Sequence, residues 1–101
     1  MNKKMALVTG ASDGIGLEFC KVLAGRGHDL ILVARREQKL QDVARDLSEQ
    51  YKVECIVMTA DLSEPQAAQN VFHRVKIKQL NVNFLVINVG SFANGSLPYL
   101  L

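Results

Sequence analysis

Four short, almost wholly apolar runs, separated by segments whose apolar residues recur at helical spacing, leave this chain few folds to choose from. The runs are Met5 to Val8, Leu30 to Ala34, Val53 to Met58 (broken by Glu54) and Phe84 to Ile87. Each is too short for a stable helix, and none alternates apolar with polar. Such runs read as strands buried on both faces. Between the first two, Ile15, Phe19, Val22 and Leu23 predict one face of a helix that ends at Gly25 and Gly27. Leu40, Val43, Ala44 and Leu47 repeat the spacing, with Tyr51 continuing the stripe, and Ala68, Val71, Phe72 and Val75 repeat it again. The third helix is expected to start at Ser63, with Pro65 in its first turn and Ser63 and Gln66 at capping-box spacing. Lys76 and Lys78 fall near its end, where cations suit the helix dipole. The order is β-α-β-α-β-α-β. With right-handed crossovers, it predicts an α/β chain forming half of a doubly wound Rossmann fold, a parallel sheet of four strands in order 3-2-1-4 with helices on both faces.

The chain's 101 residues suffice for one domain, residues 1–101, and its 12 basic and 10 acidic side chains leave a net charge of +2. That balance is too even to suggest nucleic acid or a membrane as partner. Cys20 and Cys55 lie in apolar patterns with no CxxC spacing and are expected as buried free thiols. His28 and His73 have no partner at ligand spacing, so solvated positions are expected and no metal site. Only the short run Met5 to Val8 follows Met1-Asn2-Lys3-Lys4 before Thr9-Gly10, too little for a signal peptide or a membrane span. A cytoplasmic location is therefore the expectation.

The chemistry concentrates in Thr9-Gly10-Ala11-Ser12-Asp13-Gly14-Ile15-Gly16, between the first strand and the first helix. Glycine is needed there for three separate reasons: Gly10 for a tight exit from the strand, Gly14 for close backbone approach to a pyrophosphate, and Gly16 for close packing of helix on sheet. The free N–H groups of the helix start then face an anion. Asp13 is an unhelpful charge beside phosphates, and its expected role is to cap the first helix through its carboxylate. After the second strand, where an NAD-binding half-fold places an acid for the ribose hydroxyls, this chain has Ala34 followed by Arg35 and Arg36. A guanidinium can grip a 2′-phosphate bidentately, which favours NADP(H) over NAD(H). The dinucleotide crevice is expected between strands 1 and 4. Strand 4 is expected to present an open apolar edge, Phe84 to Ile87, that invites self-association.

With these motifs in this order, the sequence resembles the short-chain dehydrogenase/reductase family. The family pattern TGxxxGxG is matched by Thr9, Gly10, Gly14 and Gly16. The family's basic residue after the second strand is similar to Arg35. Its acidic-hydrophobic pair at the adenine ring is similar to Asp61-Leu62, and its Asn-Asn-Ala-Gly signature to Ile87-Asn88-Val89-Gly90. Ile87 and Val89 depart from that last pattern, which removes the sheet-stabilising hydrogen bonds of its first Asn. The Ser-Asp-Gly-Ile-Gly turn and Asn-Val-Gly also resemble the 3-oxoacyl-CoA and steroid reductase branch.

The resemblance implies NADP(H) held by Gly10, Ser12, Asp13, Gly14, Ile15, Gly16, Arg35, Arg36, Asp61, Leu62, Asn88 and Gly90, and hydride transfer between the cofactor and a ketone or alcohol. The family's catalytic Ser, and its Tyr with a Lys four residues later, have no counterpart here. Tyr51 is followed by Cys55, and Tyr99 has no residue four positions on. No catalytic residue is therefore assigned, and the chain is expected to be the cofactor-binding half of an oxidoreductase, inactive alone. The alternatives are a non-catalytic nucleotide-binding or sensor module, and an interaction module that docks a partner on the fourth strand.

Overall fold

The computed structural model describes residues 4–88 and, as backbone, 98–100. The elements are β1 (Met5–Thr9), α1 (Gly14–Gly25), β2 (Asp29–Ala34), α2 (Glu37–Tyr51), β3 (Cys55–Thr59), α3 (Ala67–Ile77), β4 (Phe84–Asn88) and β5 (Pro98–Leu100). The sheet order is β3-β2-β1-β4-β5. The first four strands are parallel and in the expected order, with Leu7 opposite Ile31 and Leu85, and Ile31 opposite Ile56.

Uniformly apolar strands put hydrophobic side chains on both faces, and both are covered. Ala6, Val8, Leu30, Leu32 and Val86 pack under α1 and α2, against Cys20, Ala24, Leu40, Ala44 and Leu47. The intervening Leu7, Ile31, Val33 and Met58 pack under α3, against Val71 and Val75. Residues 30 to 33 of β2 are fully buried. Each such side chain contributes about 1.5–3 kcal/mol, so this central strand holds the two layers together.

Several elements differ from the expectation. The edge of strand 4 is not open along its length. β5 pairs with it antiparallel, Val86 to Leu100, Ile87 to Tyr99 and Asn88 to Pro98. Only Phe84 and Leu85 lie outside that pairing.

The buried stripe of α1 is also not the one the apolar spacing picks out. Ile15 and Val22 are 47% and 54% exposed, while Gly16, Cys20 and Ala24 are buried and Phe19 and Leu23 flank them. The cause is the tight approach of this helix to β1. An ideal Cβ on Gly16 would overlap the Gly10 carbonyl oxygen and lie 2.7 Å from its carbon. Only small side chains fit on that line, so the large ones turn outward.

Finally, α3 begins at Ala67 rather than Ser63, with Gln66 as N-cap and no side-chain cap hydrogen bond. Ser63 instead donates its hydroxyl to Asp61 Oδ1 at 2.6 Å and its amide to the same oxygen at 3.0 Å. These short-range bonds hold residues 61–64 in a turn, reinforced by Glu64 N–H to the Asp61 carbonyl at 2.9 Å. A side chain that caps its own neighbourhood competes with the helix. The last turn of α3 carries Arg74 and Lys76, followed by Lys78 as C-cap, as the dipole favours.

At the opposite, N-terminal edge of the sheet, His28 is half-buried rather than solvated. Its ring lies 5.2 Å from that of Phe84, and its Nδ1 is buried without a hydrogen-bond partner. Cys20 is buried as expected, whereas Cys55 is only half-buried.

Candidate dinucleotide site at the carboxyl edge of the sheet

The sequence-predicted residues converge because parallel strands end together. A hydrogen bond from Ala11 N–H to the Val33 carbonyl at 3.2 Å ties the turn after β1 to the end of β2. Another, from Ala60 N–H to the Ala34 carbonyl at 2.9 Å, ties the segment after β3 to the same strand. Gly10 to Gly16, Arg35-Arg36 and Asp61-Leu62 thus share one edge of the sheet, and Asn88 closes β4 at that edge. Gly90 lies outside the described residues.

Within the turn, Gly10 and Gly14 have φ of 62° and 59°. That left-handed conformation favours glycine. Gly14 is exposed, and a Cβ built on it would meet nothing within 4 Å, so no neighbouring atom crowds that position. The first intrahelical bond of α1 runs from Leu17 N–H to the Asp13 carbonyl at 3.3 Å. Helix geometry leaves the preceding amides, Gly14 to Gly16, without intrahelical acceptors.

Asp13 stands at the N-cap but makes no side-chain cap hydrogen bond, contrary to expectation. Its carboxylate instead pairs with Lys39 Nζ of α2 at 3.2 Å. The first turn of α1 itself contains no acid, so Asp13 at the N-cap is the acidic side chain at that helix start. Lys39 went unnoticed in the sequence. The signal was present, because it stands four residues after Arg35 in the first turn of α2, where a cation opposes the dipole and calls for an acidic partner.

Arg35 and Arg36 are exposed, and Arg36 is the N-cap of α2 in extended conformation. Ser63's hydroxyl and amide hold the Asp61 carboxyl below its ordinary value of 3.8, with Arg35 adding a smaller effect in the same direction. Asp61 is therefore an ionised acceptor, and Leu62 beside it is 37% exposed.

A groove of about 520 Å³ opens between the end of β3 and α3, lined by Thr59, Asp61, Gln66, Asn70 and Arg74 among others. Arg74 Nη2 donates to the Thr59 carbonyl at 3.0 Å across its floor, a contact sequence spacing does not announce.

The thiols offer no nucleophile. Burial pushes Cys20 up to about 12, and burial likewise raises Cys55. Among the described residues no three His, Cys, Asp or Glu side chains gather as a metal site, and no helix is long and apolar enough to cross a membrane.

The family model for short chain dehydrogenase matches residues 4–99. The chain belongs to the short-chain dehydrogenase family. Over 91 residues it is 41% identical to a Homo sapiens member named inactive hydroxysteroid dehydrogenase-like protein 1, covering 88% of this chain and 27% of that one. Over 87 residues it is 41% identical to the very-long-chain 3-oxoacyl-CoA reductase of Anas platyrhynchos, covering 84% and 27%. The chain thus spans about a quarter of the length of these relatives. Among solved structures it is similar to L-sorbose reductase from Gluconobacter frateurii complexed with NADPH and L-sorbose. The TM-score is 0.83 at 32% identity, over 89% of this chain and 34% of that one. The parallel order 3-2-1-4 of this short-chain dehydrogenase family member matches that of its solved neighbours.

Proposed function

We propose that this chain is the NADP(H)-binding portion of a cytoplasmic short-chain oxidoreductase that interconverts a ketone and an alcohol by hydride transfer, residues 1–101 forming its dinucleotide-binding domain. The observation that carries the reading is the start of α1. Its first amides lack intrahelical acceptors, Gly14 is exposed, the Asp13 carboxylate pairs with Lys39 instead of capping, and Arg35 follows the end of the neighbouring strand. The pyrophosphate rests on the Ser12 to Gly16 turn, with Ile15 contributing its amide. Arg35, aided by Arg36, takes the 2′-phosphate. Asp61 and Leu62 face the adenine end, and Asn88, at the end of β4, borders the nicotinamide side. The G. frateurii neighbour, solved with NADPH, supports the choice of cofactor.

The sequence holds no Tyr-x-x-x-Lys, so the carbonyl chemistry falls to residues this chain does not carry, and the chain alone is inactive. A second reading, a non-catalytic dinucleotide-binding module, draws support from the relative named inactive at 41% identity. Self-association through β4 has only Phe84 and Leu85 of that strand to use, because Val86 to Asn88 pair with β5.

Calorimetric titration tests the reading. 2′,5′-ADP is expected to bind nearly as well as NADPH, because the recognised half of the cofactor is the phosphorylated adenosine. Arg35→Ala is expected to weaken 2′,5′-ADP binding about tenfold, one charge-assisted hydrogen-bond pair. A much tighter affinity for NADPH would place the nicotinamide pocket in this chain and overturn the assignment. Turnover of NADPH with any ketone by the pure chain would overturn its inactivity and the non-catalytic reading together.

A further inference from the structure

Asp13 and Lys39 are 26 residues apart and belong to different helices. Lys39 sits in the first turn of α2, where its charge opposes the dipole, and Asp13 at the start of α1 makes no cap hydrogen bond. They meet at 3.2 Å beside the turn that the proposed function assigns to phosphates. An Asp at that N-cap has two ordinary options, both hostile to a phosphate. It can turn inward and cap the α1 amides, occupying the donors a pyrophosphate needs. Or it can stand unpaired at the mouth of the site and repel the ligand.

We propose that Lys39 is a positioning residue for cofactor choice: by holding the Asp13 carboxylate away from the α1 amides and neutralising it, Lys39 makes a turn containing an acid usable for a 2′-phosphorylated dinucleotide. This rests on the NADP(H) reading above. Lys39 acts through Asp13 and does not touch the cofactor, so removing Asp13 makes Lys39 dispensable.

The test is a double-variant cycle on the full chain, measuring affinity for 2′,5′-ADP and for 5′-AMP. Lys39→Gln is expected to weaken 2′,5′-ADP binding about fivefold, the effect of one uncovered charge at the site. 5′-AMP, with fewer charges, should lose less. Lys39→Arg should bind like the wild type. Asp13→Ala combined with Lys39→Gln should restore 2′,5′-ADP affinity to within about twofold of Asp13→Ala alone, an additivity failure expected of partners in contact. The gap between wild type and Lys39→Gln should shrink near 0.5 M salt, where the screening length is only a few ångströms. A merely structural role would not produce rescue by deleting Asp13. Unchanged binding in Lys39→Gln would overturn the proposal. So would a double variant as weak as Lys39→Gln, which would make Lys39 a direct phosphate ligand. A wild type that binds 2′,5′-ADP no better than 5′-AMP would instead overturn the NADP(H) reading itself.

Discussion

The β1–α1 and β3–α3 connections make the same passage from strand to helix at the same edge of the sheet, yet they are built in opposite ways. The first is set by what its residues lack. Gly10 and Gly14 take left-handed φ, and Gly16 lies so close to the Gly10 carbonyl that no side chain fits. Its amides stay open because nothing local caps them. The second is set by what its side chains do. Asp61 collects the hydroxyl and amide of Ser63 and delays the helix to Ala67. A connection with its donors left open suits an anion, whereas one that satisfies itself leaves an ionised acid and an exposed Leu62 for a neutral ring.

That contrast can be broken most severely at Gly16. Gly16→Val forces a branched side chain into the Gly10 backbone and should cost about 3–5 kcal/mol, or prevent folding, as read from the urea midpoint. An unchanged midpoint would mean that α1 is not seated on the turn as described. Gly14→Ala should cost less, about 1–2 kcal/mol, because the position is strained for an L-residue but unobstructed. The two glycines thereby separate steric from conformational need.

On the other side of the comparison, the effect appears only in acid. The folded state holds the Asp61 carboxyl below its ordinary value of 3.8. Its contribution is therefore fully present above the unfolded value and is lost as pH falls through the depressed folded one. Asp61→Asn should accordingly show a shallower loss of stability below about pH 4 than the wild type, monitored by denaturation at a series of pH values. An equal slope in both would remove Asp61 from the acid response. The smallest effect belongs to Asp13→Ala. With no cap bond to lose and an exposed partner, it should shift stability by under about 0.5 kcal/mol, where a true N-cap would cost about 1 kcal/mol. A loss of the larger size would put its carboxylate back on the α1 amides.

What the sequence made legible follows the same division. Strand positions, sheet order and the glycine roles were readable because continuous apolar runs and obligate glycines have few physical interpretations. The buried face of α1 was not. Ile15 and Val22 look like core by spacing, but the close approach at Gly16 hands the core to Gly16, Cys20 and Ala24. The start of α3 was misplaced because Ser63 has two uses of similar strength, helix cap or partner of Asp61, and spacing alone does not rank them. A cation in the first turn of α2 marks Lys39 as needing an acidic partner, but that the partner is Asp13, and that Arg74 bonds Thr59, depends on how separate elements are juxtaposed, which no local pattern encodes. β5 escaped because Pro98 to Leu100 is short and follows a stretch of sequence rich in Gly, Ser and Asn.

The central claim is that backbone amides opening α1, with a guanidinium from the next strand end, receive a phosphorylated adenosine. Amide chemical-shift mapping with 2′,5′-ADP addresses it residue by residue. The account expects saturable shifts concentrated at Ser12 to Gly16, Arg35 to Arg36 and Ala60 to Leu62, with β1 to β4 otherwise undisturbed. Shifts confined to α3 and the Thr59 to Arg74 groove, or no saturable shifts at all, would contradict it.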